Sequence, residues 1–233
     1  MRLHSVYRPW ERVRGALLHV DYWWGLMLGV CGLIAALTLI WTDPFGRMLR
    51  FLADGLWVTI SITVVSFGLI LVIGLLGGLG RVSPRPFWRT ATALYVEIVR
   101  GIPLLVQLLF IYYAFPQLLD YLGEAVIQRV PAWQSLGQAL IETQLPAFWS
   151  AVAGLTICYG AYVTEIFRAG IQAVPFGQME AALALGMTHH QAMFTIILPQ
   201  AIRIALPPIG NDFISLLKDS SLVSVVAVAD LTR

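Results

Sequence analysis

The chain has 233 residues and a formal net charge of +2, with 58% hydrophobic and only 12% charged residues. Its length alone would fit one or two soluble domains. Uncharged runs long enough to cross a bilayer exclude that class, and the composition fits a single membrane-embedded helical bundle.

The near-neutral charge hides an asymmetry, because Arg2, Arg8, Arg12 and Arg14 crowd the N-terminal tail. Positive-inside topology accounts for that cluster better than a nucleic-acid contact, so no nucleic-acid partner is expected. The tail lacks an apolar stretch followed by a small-residue cleavage site within its first twenty residues, so no removable signal peptide is expected. A first span is predicted from Tyr22 to Trp41, with Trp23, Trp24 and Trp41 as interfacial aromatics and Asp43-Pro44 as its end. Asp54 to Arg81 brackets a second span, whose Gly74 and Gly78 form a small-xxx-small face for helix packing.

Arg81, Arg85 and Arg89 make a basic loop broken by Pro84 and Pro86. A third spanning pattern, Phe87 to Phe115, contains Glu97, Arg100 and the sequence Gly101-Ile102-Pro103, which predicts a kink or break. Such a break inside a membrane requires protein or water to satisfy the freed backbone groups. Pro116 to Pro146 reads as an external loop with a helix lying near the surface. The fourth span is predicted from Ala147 to Phe167, apolar until Glu165 and Arg168. Cys31 and Cys158 fall inside apolar spans and are expected to pack as small hydrophobes, not as a disulfide or metal site.

The stretch from Val174 to Pro199 is too polar and interrupted to cross a bilayer. Pro175 can open a short helix, Glu180 lies early in it where the helix dipole favours a carboxylate, and Gly186 can end it. A second short helical piece is predicted, broken at Pro199. Leu206-Pro207-Pro208 then precedes an irregular membrane segment carrying Asn211, Asp212, Lys218 and Asp219, which should face a bundle interior, a water-filled path or an interface. Lys218 and Asp219 are expected to pair with each other. Lys218 is the only lysine and follows Leu217, so a phosphate-cradling glycine-rich loop ending in Gly-Lys is absent. His189 and His190 beside Glu180 do not make a metal site, since adjacent helical residues project in different directions and no ligand cluster surrounds them.

Within this loop, Glu180-Ala181-Ala182 is followed by three residues, Gly186, nine residues, Ile196, one residue, and Leu198-Pro199. That spacing resembles the EAA loop of ABC-importer permeases. Further segments, including EIVRGIPLLVQLLFIYY, GAYVTEIFRAGI and RIALPPIGNDFISLLKDSSL, are similar to polar amino-acid permeases of the histidine/glutamine type, over about Asp54 to Arg233. The resemblance implies an all-α integral membrane protein, a polytopic helical bundle of the type I ABC-importer permease kind. It implies a transport subunit and not an enzyme, in the bacterial cytoplasmic (inner) membrane with its N-terminus in the cytoplasm. It divides the chain into a basic cytoplasmic tail, 1–21, an additional N-terminal spanning helix with an external loop, 22–53, and the permease domain, 54–233. One more spanning helix is expected after the position of Arg233.

The resemblance also supplies partners and sites. The loop at 174–199 would be the coupling helix that docks on an ABC ATPase dimer, with Gly177, Glu180, Ala181, Ala182, Gly186, Ile196, Leu198 and Pro199 as coupling residues. ATP and Mg would sit on that partner ATPase, with no cofactor or metal in this chain. A second permease subunit, the same or a related chain, would complete the translocation path across the lipid bilayer, and an extracytoplasmic solute-binding protein would deliver an amino-acid substrate. A free amino acid needs a donor cluster and an acceptor, and Glu97 with Arg100 are placed for this just before the break at Gly101 and Pro103. Glu165 with Arg168 repeats the spacing, and Asn211 adds a polar group to the pathway set. The alternative for each arginine is that it snorkels to the interface with its glutamate as local partner. An ion-coupled secondary transporter or channel subunit is the competing class, since broken helices and buried charges suit it equally. The loop spacing, and the lack of a detectable second half, argue against it.

Overall fold

The computed structural model describes residues 10–143 and 145–223. The chain divides into two compact units, Met1–Trp57 and Val58–Arg233. Helix α1 runs over Trp10–Ile40 and α2 over Thr42–Arg81. Helix α1 therefore begins well before the expected span, because the segment around Ala16, Leu17 and Leu18 is made of good helix formers. The expected external loop after Asp43 is also helical. Asp43 alone leaves helical geometry, with φ −128° and ψ 116°, as a residue preceding proline tends to. From Pro44 the helix resumes, because proline is tolerated in a first turn, and an Asp43–Arg47 ion pair bridges that turn.

In the second unit the chain continues as α3 (Pro86–Gly101), α4 (Leu104–Leu109), a π turn (Phe110–Ala114) and α5 (Phe115–Arg129). A short 3-10 turn then leads to α6 (Gln134–Glu142) and the long α7 (Ala147–Ala173). After α7 come α8 (Phe176–Ala184), α9 (His189–Ala192), a second π turn (Met193–Ile197) and α10 (Leu198–Asp219), closed by a 3-10 turn. Among the described residues, five helical stretches are long and apolar enough to cross a membrane: Tyr22–Ile40, Asp43–Arg81, Leu104–Arg129, Ala147–Ala173 and His189–Val223.

The third of these replaces the predicted span at Phe87 to Phe115. The break at Gly101-Ile102-Pro103 is complete, so α3 is a separate, shorter helix and the spanning stretch starts at Leu104. What was expected as an external loop is the end of that stretch plus α6, folded back as a helical hairpin. Glycine makes the hairpin possible, since a Cβ on Gly123 would lie 2.6 Å from the Gly137 carbonyl oxygen.

Two expected breaks at proline do not occur. Pro199 is the second residue of α10, and the turn before it widens to π geometry; Pro116 stands in the same relation to the first π turn. A proline ring clashes with the carbonyl four residues back, and the wider turn relieves that crowding. Pro207 and Pro208 lie inside α10 without ending it. The helix is fastened to α7 near these prolines, because a Cβ on Gly170 would sit only 2.9 Å from the Ala201 carbonyl oxygen and 3.4 Å from the Ala205 Cβ.

Helix α7 is the centre of the second unit and is buried along most of its length. Its Val152, Leu155, Val163 and Phe167 form one core with Ile62 and Ile70 of α2 and Ala205, Ile209 and Leu216 of α10. The expected glycine face on α2 is the reason these helices approach closely. Ideal Cβ atoms on Gly74, Gly77 and Gly78 would lie 2.4, 2.2 and 2.5 Å from Val163, Thr164 and Phe167 side-chain atoms. A smaller cluster at the end of α7 gathers Ile171, Val174, Ile197 and Ala201, with Met179 and Met193 packed against it. That cluster seats the loop that follows.

Candidate functional site

Two places in the second unit gather the residues the sequence singled out: a polar cleft against the middle of α7 and the loop beyond its end.

The cleft begins at the break between α3 and α4. Ending a helix at Gly101 frees carbonyl groups, and Gln107 satisfies two of them: its Nε2 donates to the Val99 and Ile102 carbonyls at 2.8 Å each. The broken backbone thereby regains donors for two of the carbonyls that the helix end leaves free. Tyr95 fixes α3 to α7 by donating its hydroxyl to the Ile157 carbonyl at 2.7 Å. Between these supports lies a cavity of about 450 Å³, within the size range of small-molecule sites. Arg100, Gly101 and Pro103 line one side, Tyr159 and Tyr162 of α7 another, and Asp212, Ser215 and Asp219 of α10 a third.

The charges in the cleft are arranged unevenly. The Arg100 guanidinium lies 4.9 Å from the centroid of the Tyr162 ring, a cation–π distance, and makes no ion pair among the described residues. Tyr159 donates its hydroxyl to Asp219 Oδ2 at 2.7 Å. Asp212 Oδ2 is buried and has no hydrogen-bond partner. The expected Lys218–Asp219 pair does not form, because Asp219 turns to Tyr159 while Lys218 is exposed.

Of the six residues expected on a substrate path, the structure brings Arg100, Gly101 and Pro103 to the cleft. Glu97 is exposed on α3, outside the lining, and Asn211 is exposed on α10 beside Asp212, its carbonyl accepting from Ser215 Oγ at 3.2 Å. Glu165 belongs to a different cluster on α7. It pairs with Arg168 one turn away and, at 3.7 Å, with Arg81 at the end of α2. The local-partner alternative therefore describes Glu165 with Arg168, and it does not describe Glu97 with Arg100. The sequence reading missed Tyr159, Tyr162 and Ser215, whose one available signal is helical spacing: Tyr159 and Tyr162 lie three apart on α7, as Asp212 and Ser215 do on α10.

The loop is built from a stop, an elbow and a restart. Pro175, at φ −55° and ψ 130°, precedes α8 as its N-cap residue, so Glu180 is the fifth helical residue and lies beyond the first turn, where the dipole acts. Gly186 has φ +82°, the one positive φ among the described residues. Its N–H donates to Leu183 at 2.9 Å and the Met187 N–H to Ala182 at 3.1 Å, which is the Schellman pairing for a glycine just past a helix end. Thr188 and Gln191 then cap α9 reciprocally, with Thr188 N donating to Gln191 Oε1 at 2.8 Å and Gln191 N donating to Thr188 Oγ1 at 3.3 Å.

The eight loop residues fall into two groups. Ala182, only 1% exposed, Ile196 and Leu198 face inward and hold the loop to the bundle, and Gly186 forms the elbow. Gly177, Glu180, Ala181 and Pro199 are exposed. They share that surface with large apolar side chains, among them Phe176 at 74% exposure and Leu185 at 83%.

Residues 70–233 match the family of binding-protein-dependent transport system inner membrane components. The chain is 40% identical over 182 residues to the L-cystine transport system permease protein TcyB of Bacillus subtilis, covering 78% of this chain and 68% of that one. It is 37% identical over 184 residues to the arginine transport system permease protein ArtQ of the same organism, covering 78% and 74%. A crystal structure of an amino acid ABC transporter with histidines superposes with a TM-score of 0.61 at 39% identity, covering 80% of this chain and 78% of that one. The fold is therefore that of ABC-transporter permeases, a transport component and not an enzyme. The chain belongs to the binding-protein-dependent transport system inner membrane component family.

Proposed function

We propose that this chain is the membrane-spanning permease subunit of an ATP-driven amino-acid importer, and that the Val174–Pro199 loop couples it to a separate ATPase. The observation that carries the reading is the exposed surface of α8 and its elbow. Gly177, the second residue of α8, has nothing within 4 Å of an added Cβ and keeps the exposed start of that helix low, which suits a close approach from outside. Phe176, Leu183 and Leu185 supply apolar area to the same contact.

In this reading ATP and Mg bind the partner ATPase dimer. A second permease subunit completes the path, and an extracytoplasmic solute-binding protein delivers the substrate. Movement of the loop is passed to the bundle through Met179, Met193 and Ile196, which pack on the cluster at the end of α7. The amino acid passes the cleft at Arg100, Gly101 and Pro103. The naming of the relatives as cystine and arginine permeases supports an amino-acid substrate.

The N-terminus lies in the cytoplasm and the loop on the same side. Helix α7 has 27 residues and is therefore about 40 Å long, so Gln134 before it and Gln178 after it lie at opposite membrane faces. Single cysteines at these positions in a cysteine-free background are expected to react with an impermeant thiol reagent from opposite sides. Reaction from one side overturns the topology. The function is tested in proteoliposomes holding the assembled permease–ATPase complex. ATP-dependent uptake of a labelled amino acid is expected, and Leu185→Ser is expected to weaken ATPase retention during purification without changing membrane insertion. Uptake that proceeds without ATP and follows an ion gradient instead contradicts the proposal.

A further inference from the structure

The ends of α2 and α7 and the start of the loop enclose a cavity of about 640 Å³, separate from the cleft. We propose that it is a binding site for an anionic phospholipid. The headgroup phosphate sits among Arg81, Arg89, Ser83 and Gln172, and the glycerol and upper acyl chain lie along the apolar wall. The site does not depend on which solute the chain carries.

The polar side of the cavity holds cations without matching anions. Among the described residues, no aspartate or glutamate lines it, and Arg89 makes no ion pair. Arg81 shares Glu165 with Arg168, so one carboxylate serves two guanidiniums, and the Arg81 Nε is buried with no hydrogen-bond partner. Ser83 Oγ accepts the Arg85 N–H at 3.3 Å, which leaves its own hydrogen to give. Gln172 presents its Oε1 to Arg168, so its amide hydrogens are left for an acceptor. His189 adds a further polar group from the loop side. A phosphodiester brings one negative charge and several acceptor oxygens, which arginine holds through charge-assisted bonds.

The rest of the wall marks the ligand as a lipid. Ile171, Val174 and Ile197 are buried beneath the cavity, and Met179 and Met193 pack on them and line it too. A free phosphate would leave that apolar surface wet, whereas glycerol and the first methylenes of an acyl chain would cover it. Two spanning stretches, Asp43–Arg81 and Ala147–Ala173, both end beside the cavity, which puts it at the level of the bilayer surface. Basic pockets between spanning helices at that level suit anionic headgroups. Topological charge alone would not need the arginines to converge. Here Arg81 and Arg89 line one cavity, while Arg85 between them stays outside the lining.

The test is equilibrium binding of labelled dioctanoyl phosphatidylglycerol to the delipidated permease–ATPase complex in detergent. Saturable binding is expected, displaced by unlabelled phosphatidylglycerol and not by phosphatidylcholine of the same chain length. Inorganic phosphate is expected to displace it only at about a hundredfold higher concentration, the scale of about three or four buried methylenes. Variants are compared after each is shown to elute as an assembled complex. Arg89→Gln is expected to weaken binding about fivefold, the scale of one arginine at a membrane surface, and Arg89→Lys to retain most of it. Arg85→Gln, outside the lining, is expected to change it by less than about twofold, because an exposed charge is screened. Equal weakening by Arg85→Gln and Arg89→Gln, or none by Arg89→Gln, would mean a diffuse surface charge and overturn the site. Displacement by phosphate as readily as by phosphatidylglycerol overturns the lipid assignment, and equal displacement by phosphatidylcholine overturns the charge selectivity. Absence of saturable binding, as when the ATPase itself fills the cavity, overturns the proposal as a whole.

Discussion

Glycines on α2 and on α8 serve opposite purposes. On α2, Gly74, Gly77 and Gly78 are filled by Val163, Thr164 and Phe167, so the chain itself explains why no side chain stands there. On α8, Gly177 faces open space. The first set is a packing device of the kind that lets membrane helices approach without a hydrophobic driving force. Gly177 instead leaves the exposed start of α8 without a side chain, on the surface proposed to meet the ATPase.

The comparison can be broken most sharply by the same substitution at both places. Gly77→Val drives a branched side chain into Thr164 Oγ1, which lies 2.2 Å from an ideal Cβ. Overpacking of this sort costs about 1–3 kcal/mol and often more, so the largest expected effect is a lowered thermal transition and poor yield of folded protein in detergent. Gly177→Val is expected to leave the thermal transition close to wild type and to reduce ATP-dependent uptake in the assembled complex. An equal loss of thermal stability in both variants would erase the distinction.

A smaller effect is expected at the helix break. Gln107→Leu keeps the bulk of the side chain but removes the side-chain donor from the Ile102 carbonyl and one of two donors from the Val99 carbonyl, which keeps the Ile102 N–H at 3.3 Å. Losing a hydrogen bond of this kind costs about 0.5–1.5 kcal/mol, so the thermal transition should fall by less than in Gly77→Val. A transition unchanged from wild type would mean that the break is held by something other than Gln107.

The smallest expected effect is at the ion-pair cluster. Glu165→Gln removes the carboxylate shared by Arg168 and Arg81, whose side chains are about one-quarter exposed. Partly solvated pairs of this kind contribute about 0–1 kcal/mol, so a small drop in the thermal transition is expected, and it should shrink in high salt. A loss of uptake with unchanged stability would instead bring Glu165 into the transport path.

Much of the fold was legible because membrane spans depend on long apolar runs and glycine spacing. The α2 glycine face could be read from the four-residue interval between Gly74 and Gly78, and the elbow from Gly186. What failed to read through was proline. Pro199, Pro207 and Pro208 look like breaks in sequence, but π geometry before Pro199 and close packing of Gly170 on Ala201 keep α10 intact. The site was half legible for a related reason. Arg100, Gly101 and Pro103 stand out around a helix break, whereas Tyr159, Asp212 and Asp219 join them only because α7 and α10 cross at the cleft. Pairing by sequence interval misjudged Glu97 with Arg100 and Lys218 with Asp219, since Arg100 and Asp219 each found a tyrosine on α7 instead.

The most direct test of coupling through the loop is substrate-stimulated ATP hydrolysis by the reconstituted complex carrying Gly186→Val. The backbone there has φ +82°, a region that a β-branched residue strongly resists. The substitution should distort the elbow while leaving the α2–α7–α10 core intact. The account predicts a complex that inserts in the membrane and still binds its solute-binding protein, but whose ATPase rate no longer rises when loaded binding protein is added. Stimulation equal to wild type, in a variant confirmed to be assembled, would contradict it.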